Sequence, residues 1–266
     1  TTPLLIFYGI PPTVAAASAT TQVTGASVSG VFTHLSRGTV DVRMGAVLVA
    51  GGVVGAVLGA GLLHILETIG QTDTVIALLY VLLLGSIGGL MAWESVQTLV
   101  RRKRGQPAPA SKRRHHPLVA ALPMRWRFYK SGLYISPLAP LLLGLATGIL
   151  TMLLGVGGGF IMVPAMIYLL GMQTQVVVGT SLFQILFVTM ASTLVHSLTT
   201  KAVDLVLAIL LLIGSVTGAQ LGTRISRTMR PEYLRIILAF IVLVVAIRMA
   251  LGLGWRPDEI YTIEAG

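Results

Sequence analysis

The chain has 266 residues, of which 55% are hydrophobic and only 11% are charged. Soluble domains carry about 25% charged residues, so this composition excludes an ordinary soluble domain and indicates an integral membrane protein. The net charge of +10 does not indicate a nucleic-acid partner, because ten of the nineteen Lys and Arg residues lie in one segment, residues 101–130. The lack of cysteine excludes disulfides, thiolate metal sites and thiol catalysis. We expect the lipid bilayer as a partner, and neither nucleic acid nor a cofactor.

The predicted elements are all helices, and most are long and uncharged enough to cross a bilayer core about 30 Å thick. Between residues 138 and 170, two shorter apolar segments flank the run Gly155-Val-Gly-Gly-Gly159. The longer helices are predicted, in chain order, near 12–35, 43–66, 74–99, 174–198, 204–226 and 233–253. The sequence therefore predicts an all-α membrane fold.

The two halves of the chain repeat one plan, which is the signature of an internally duplicated architecture. Residues align at an offset of 162 or 163: 3–9 with 165–171, Gln22 with Gln184, His34 with His196, Asp41 with Asp204, Gly55 with Gly218 and Gly59 with Gly222. Only the second half contains the glycine run. We therefore expect the first half's equivalent element to precede Thr1.

Positive charge orients the halves, because Lys and Arg near membrane helices are retained in the cytoplasm. The basic segment 101–130 should be cytoplasmic, and so should Arg224, Arg227, Arg230 and Arg235. This assignment places equivalent loops on opposite faces, so the halves form an inverted-topology repeat of helical bundles, as in many secondary transporters. The expected organisation is a first membrane repeat at 1–100, a basic cytoplasmic linker at 101–136, a second membrane repeat at 137–254 and an external acidic tail at 255–266.

The same topology requires residues 138–170 to start and end on one face. The seventeen residues before the glycines and the eleven after them span only about 26 and 17 Å as helices. The segment is therefore predicted to be a re-entrant helix pair, broken by glycine within the membrane. A helix starting after the break would aim its free N–H groups at an anion, so Gly157, Gly158 and Gly159 are candidate substrate-binding residues.

Packing is the alternative role for these glycines, because small residues four apart are common at helix contacts in membranes. We favour the packing role for Gly55 with Gly59 and for Gly218 with Gly222.

Two glutamines occupy equivalent depths, about 15 Å into their helices, and are predicted to face one central cavity. Gln22 has Ser18 and Thr21 near it, and Gln184 has Thr180 and Ser181 near it, so each half offers hydroxyl and amide donors to an anion. Hydrogen bonding between helices without a ligand is the alternative role.

His34 and His196 lie near helix ends and are predicted to be interfacial.

The stretch Gly155-Val-Gly-Gly-Gly-Phe-Ile-Met-Val-Pro164, with Gly171 and Gly179-Thr-Ser181, resembles the TauE/SafE sulfite exporter family. Gly9-Ile-Pro-Pro12, residues 15–18 and Gly55 with Gly59 resemble its partner repeat. The first glycine motif is missing, and the first half has Ala17-Ser-Ala19 where the second has Gly179-Thr-Ser181. The resemblance implies export of a small anion, such as sulfite, sulfoacetate or a related organosulfonate, across the bacterial inner membrane by alternating access.

Two other classes of function are alternatives to a transporter. An anion channel could use the same glycines and amides. A membrane-embedded enzyme is disfavoured, because the helices contain no His, Asp and Glu cluster or nucleophile arrangement typical of catalysis. The sequence leaves the oligomeric state open, including a homo-oligomer.

Overall fold

The computed structural model describes residues 1–103, 126–228 and 231–254, and these residues are mostly helical. The predicted long helices are present, and within the described residues five helices are long and apolar enough to cross a membrane. The elements in chain order are α1 (Thr2–Phe7), α2 (Pro12–Ser36), α3 (Val42–Ile69), α4 (Thr72–Lys103), β1 (Trp126–Phe128), β2 (Leu133–Ile135), α5 (Leu138–Leu154), α6 (Gly159–Tyr168), α7 (Thr174–Thr199), α8 (Leu205–Thr228) and α9 (Pro231–Gly254).

Contacts divide the chain into two units. The first contains α1 to α3, both strands, α5 to α7 and the first part of α8, and the second contains α4, α9 and the remainder of α8. In the second unit, α4 and α9 pack together where Gly88 faces Val242 and Leu243. Large apolar side chains on both helices stay exposed, including Leu82 and Phe240. An exposed apolar surface of this kind is suited to contact with membrane lipid.

The all-α prediction is corrected by a small antiparallel hairpin formed by β1 and β2. The linker at 101–136 stays a prediction; within it, the structure shows the end of α4 at Lys103 and the hairpin in its last third. Phe128, Leu133 and Ile135 are buried, so this basic stretch has an apolar inner face that a charge pattern does not reveal. Residues 104–125 and the predicted tail 255–266 lie outside the described residues.

The hairpin forms part of the hydrophobic core of the first unit. Its three buried side chains cluster with Met44 and Leu48 in α3, Met162 and Met166 in α6, and Leu170, Met172 and Val177. Buried Asp41 links hairpin and helix: its Oδ1 accepts the N–H of Met44 at 3.1 Å, and its Oδ2 accepts Ser131 N–H at 3.0 Å and Ser131 Oγ–H at 2.6 Å. Asp41 is thus the N-cap of α3 and the anchor of the hairpin tip.

Helices α3 and α5 make backbone contact through glycines on both sides. Gly51 lies against the carbonyl of Leu141 and Gly55 against that of Leu145, so the two helices run parallel. From α5, Gly148 lies in the same way against the carbonyl of Gly52. The packing role predicted for Gly55 is confirmed, and Gly59 likewise meets Ile149 and Met152. Gly218 and Gly222 face open space, so they mediate no packing within the described part of the chain.

Alanine substitution should have opposite effects at the equivalent positions Gly55 and Gly218. A Cβ on Gly55 would collide with the main chain of α5, which cannot swing aside, so Gly55→Ala should lower stability by about 1 to 3 kcal/mol. Gly218→Ala meets nothing and should raise stability by about 0.5 to 1 kcal/mol through helix propensity. Thermal unfolding of both variants in one detergent measures the difference. Equal melting temperatures would contradict the α3–α5 contact.

Candidate functional site

The break between α5 and α6 is built from glycines in the left-handed region. Gly155 ends α5 with φ 67°, and Gly157 and Gly158 have φ of 73° and 70°. Side chains rarely adopt this conformation, because Cβ approaches the following carbonyl. Three such residues within four positions stop the helix and let the chain reverse.

The break lies beside the middle of two long helices. An ideal Cβ on Gly157 would come within 2.8 Å of Val23 in mid-α2 and within 3.3 Å of Thr189 in mid-α7. Gly159 faces Ile185, also in mid-α7, and Gly155 touches the backbone of Ala16. The break is therefore enclosed by protein, which is the condition under which irregular backbone is tolerated at membrane depth.

The start of α6 supplies hydrogen-bond donors at the break. Gly158 is the N-cap, and its carbonyl accepts the N–H groups of Ile161 and Met162. The preceding N–H groups, of Gly159 and Phe160, have no acceptor within the helix. Backbone donors and the positive end of the α6 dipole thus meet where the glycines leave no Cβ in the way.

Gln184 is the side chain at this level with unmet hydrogen-bonding capacity. It is fully buried in α7, next to the Ile185 that faces Gly159. Neither its amide nitrogen nor its amide oxygen has a hydrogen-bond partner within the described residues. A buried amide without a partner costs about 1 to 3 kcal/mol, so such a group in a native protein requires an explanation.

Gln22 is also buried, but it has a partner and lies at another level. Its Oε1 accepts a hydrogen bond from Thr1 Oγ at 3.4 Å. Helices α2 and α7 are antiparallel, with Thr21 opposite Thr193 and Thr24 opposite Thr189, their hydroxyls 3.4 and 2.8 Å apart. This register separates Gln22 from Gln184 by about seven residues, or about 10 Å along the helix axes.

The remaining candidate hydroxyls have local partners. Thr180 Oγ1 accepts the N–H of Asp41 at 3.0 Å, and Ser18 Oγ accepts the N–H of Asp204 at 3.3 Å. Thr21 donates to Ala17 O at 3.0 Å and Ser181 donates to Val178 O at 3.0 Å. Their part in a substrate site stays a prediction.

Sequence reasoning missed three threonines beside the break. Thr147 and Thr151 in α5 lie next to Gly158, and Thr189 lies next to Gly157. Thr147 and Thr151 are fully buried and stand four residues apart on an otherwise apolar helix, a spacing that could have singled them out. All three hydroxyls donate to carbonyls of their own helices. Thr189 Oγ1 also accepts from Thr24 Oγ1 at 2.8 Å, whereas the oxygens of Thr147 and Thr151 stay able to accept.

His196 was predicted to be interfacial, but it is fully buried. Its Nε2 lies 3.1 Å from the carbonyl oxygen of Met152, so Nε2 carries the proton and donates. Met152 is in the last turn of α5, where carbonyls have no intrahelical donor. His196 therefore caps α5 just before the break. His34 is half-buried, with Nδ1 2.8 Å from Thr39 Oγ1.

The apolar helices and the enclosed polar break define a multi-pass membrane protein with a buried polar centre. Residues 1–249 match the family described as Sulfite exporter TauE/SafE, and the chain belongs to this family of transporters. It is 30% identical over 252 residues to the probable membrane transporter protein YjnA of Bacillus subtilis, covering 93% of this chain and 89% of the relative. A probable membrane transporter protein of Xylella fastidiosa is 27% identical over 257 residues, covering 96% and 85%. No solved structure matches the chain.

Proposed function

We propose that this protein exports small sulfur oxyanions, such as sulfite or an organosulfonate, through a site at the break between α5 and α6. The observation that carries the proposal is Gln184, which is fully buried with both amide atoms unpartnered among the described residues. An anion with tetrahedral or pyramidal oxygens offers the amide nitrogen an acceptor that the protein does not supply. The family description supports sulfite as the type of substrate.

The proposed binding chemistry needs no cationic side chain. The N–H groups of Gly159 and Phe160 and the amide of Gln184 supply donors, and hydrogen bonds to a charged acceptor contribute about 1.5 to 3 kcal/mol each. The glycines let the oxyanion approach the backbone directly. Gln22, Thr21, Ser18, Thr180 and Ser181 belong to the path on either side of this centre.

An inverted repeat with a re-entrant helix pair is the architecture that we propose around the site. It is supported by the reciprocal contacts across the two halves: the N-cap residue of α3, Asp41, contacts Thr180 of α7, and the N-cap residue of α8, Asp204, contacts Ser18 of α2. Thr180 and Ser18 are themselves related by the repeat offset. Transporters built from inverted repeats commonly alternate access by rocking one repeat against the other about a central site.

The position of the end of α6 supports a re-entrant pair formed by α5 and α6. Helix α5 starts next to the hairpin and runs parallel to α3. At the far end of α6, Met166 and Leu170 lie in the cluster with Met44, in the first turn of α3. Both ends of the α5–α6 segment are therefore near one end of α3. A broken helix that crossed the membrane once would have its ends on opposite sides, and the lengths of α5 and α6 are too short for two full crossings.

Orientation in the inner membrane follows from the positive charges in our proposal, with the basic segment in the cytoplasm. Export of an anion from a cell that is negative inside is favourable by about 2.3 kcal/mol per charge per 100 mV. Membrane potential alone can therefore drive the transport.

Two single-cysteine variants should be labelled from opposite sides of the membrane. The chain has no cysteine, so Lys130→Cys and Gln71→Cys each introduce one reactive thiol at an exposed position. A membrane-impermeant maleimide added to intact cells should label Gln71→Cys alone, and lysed cells should show both. Labelling of both in intact cells would contradict the proposed topology.

Flux into proteoliposomes tests the function directly. Purified protein should transport sulfite or sulfoacetate faster than acetate, with a rate that saturates as substrate concentration rises. Preloaded unlabelled substrate should accelerate uptake of labelled substrate, as a carrier requires. Conductance that does not saturate would indicate a channel, and no flux of any sulfur oxyanion would contradict the proposal.

A further inference from the structure

We propose that the outer face of the β1–β2 hairpin binds the headgroup of an anionic phospholipid. The hairpin has two chemically different faces. Phe128, Leu133 and Ile135 are buried in the core of the first unit, whereas Arg127 and Tyr134 form a cross-strand pair that points outward. The outward pair joins a surface that is both cationic and aromatic.

Two guanidinium groups converge on one exposed ring. The Cζ atoms of Arg43 and Arg127 lie 5.5 and 5.8 Å from the ring centroid of Tyr129, which is 70% exposed. Lys130 is exposed beside it. A planar guanidinium forms paired hydrogen bonds to phosphate oxygens, so two of them held together match a phosphodiester group.

Asp41 holds the hairpin surface in place, and because its carboxylate is buried it does not neutralise the positive charge that the surface presents to solvent. Its carboxylate is 3% exposed and accepts hydrogen bonds from Ser131, in the hairpin turn, and from Met44. Arg43 is two residues along the chain from Asp41, and Tyr129 is two residues before Ser131. The backbone that carries Arg43 and Tyr129 is therefore held in place before a ligand arrives, which lowers the entropy cost of binding.

The position of the hairpin identifies the ligand as lipid. Arg43 and Met44 are in the first turn of α3, a helix long and apolar enough to span the membrane, so the hairpin lies where that helix enters the headgroup layer. Trp126 and Tyr134 are 55% and 58% exposed at the same hairpin, and these side chains are enriched at that layer. Charge and aromatic character both fit the surface of an anionic bilayer.

Lipid competition on the purified full chain tests this proposal. Native mass spectrometry of wild-type protein in micelles with equal phosphatidylglycerol and phosphatidylcholine should show preferential retention of phosphatidylglycerol. Arg43→Gln with Arg127→Gln should weaken that retention about 30-fold, from about a fivefold loss for each charge removed near the membrane surface. Arg43→Lys with Arg127→Lys keeps both charges but loses the paired hydrogen bonds of the guanidinium groups, so its retention should fall between that of wild type and that of the glutamine pair.

A control variant that loses the same charge elsewhere on the protein distinguishes a specific lipid site from general electrostatic attraction. Arg37 and Lys201 are exposed and outside the hairpin, so Arg37→Gln with Lys201→Gln removes the same charge and should leave retention within about threefold. Equal losses in both glutamine pairs would overturn the proposal, as would equal retention of the two lipids by wild type. If the hairpin variant unfolds, the wild-type preference and the lysine pair still decide the outcome.

Discussion

Gly158→Leu should reduce sulfite transport by about 150-fold or more while the protein still inserts into the membrane. The side chain would occupy the space next to the N–H groups that open α6. An ideal Cβ there already comes within 3.2 Å of both Thr147 and Thr151. Loss of two hydrogen bonds to a charged ligand, at about 1.5 to 3 kcal/mol each, accounts for the expected effect.

Gly38→Leu is the matched control for this substitution. Gly38 has φ of 66°, close to the 70° of Gly158, so leucine suffers comparable backbone strain at both positions. An added Cβ on Gly38 meets nothing within 4 Å. Flux of both variants in proteoliposomes, with melting temperatures measured in parallel, separates strain from obstruction. Equal flux of the two variants at equal stability would show that the break does not bind the anion.

Hydropathy and helix spacing predicted the long helices well, because lipid imposes length and apolar composition on each of them separately. The break at Gly155, Gly157 and Gly158 was also predictable, since only glycine suits three left-handed positions. The hairpin was not predicted. Its burial depends on Met44, Met166 and Met172, which are distant in sequence, and the many Lys and Arg residues around it concealed three apolar positions.

The candidate site was predictable in outline but not in its register. Repeat pairing drew attention to both glutamines, but it could not show that Gln22 stands about 10 Å away from Gln184 along the antiparallel helices. Their spacing from the two glutamines predicts that Ser18 and Thr180 bind the substrate. In the structure, each side-chain oxygen accepts a backbone N–H from the opposite half. Those contacts depend on how α2 and α7 pack against the starts of α8 and α3, which one helix alone does not specify.

Gln184→Leu should make the substrate-free protein more stable and the binding of substrate weaker. The wild-type amide is fully buried without a partner among the described residues, a cost of about 1 to 3 kcal/mol that an apolar side chain of similar volume removes. The same substitution deletes a donor to the anion, so affinity should fall about 10- to 150-fold. Gln184→Glu should bind more weakly still, because its carboxylate would repel the anion.

Gln22→Leu provides the matched comparison, because this glutamine is 7% exposed and its Oε1 accepts from Thr1. Its removal should therefore give no gain in stability. Melting temperatures without substrate and calorimetric titration with sulfite, performed on both leucine variants, measure the two effects separately. A glutamine that only joins helices would give the reverse result at position 184, with a lower melting temperature and unchanged affinity. If Gln184 serves to bind the ligand, its leucine variant should show both effects together, higher stability without substrate and lower affinity for the anion. The reason is that the cost of burying the unpartnered amide in the substrate-free protein is recovered when the anion binds.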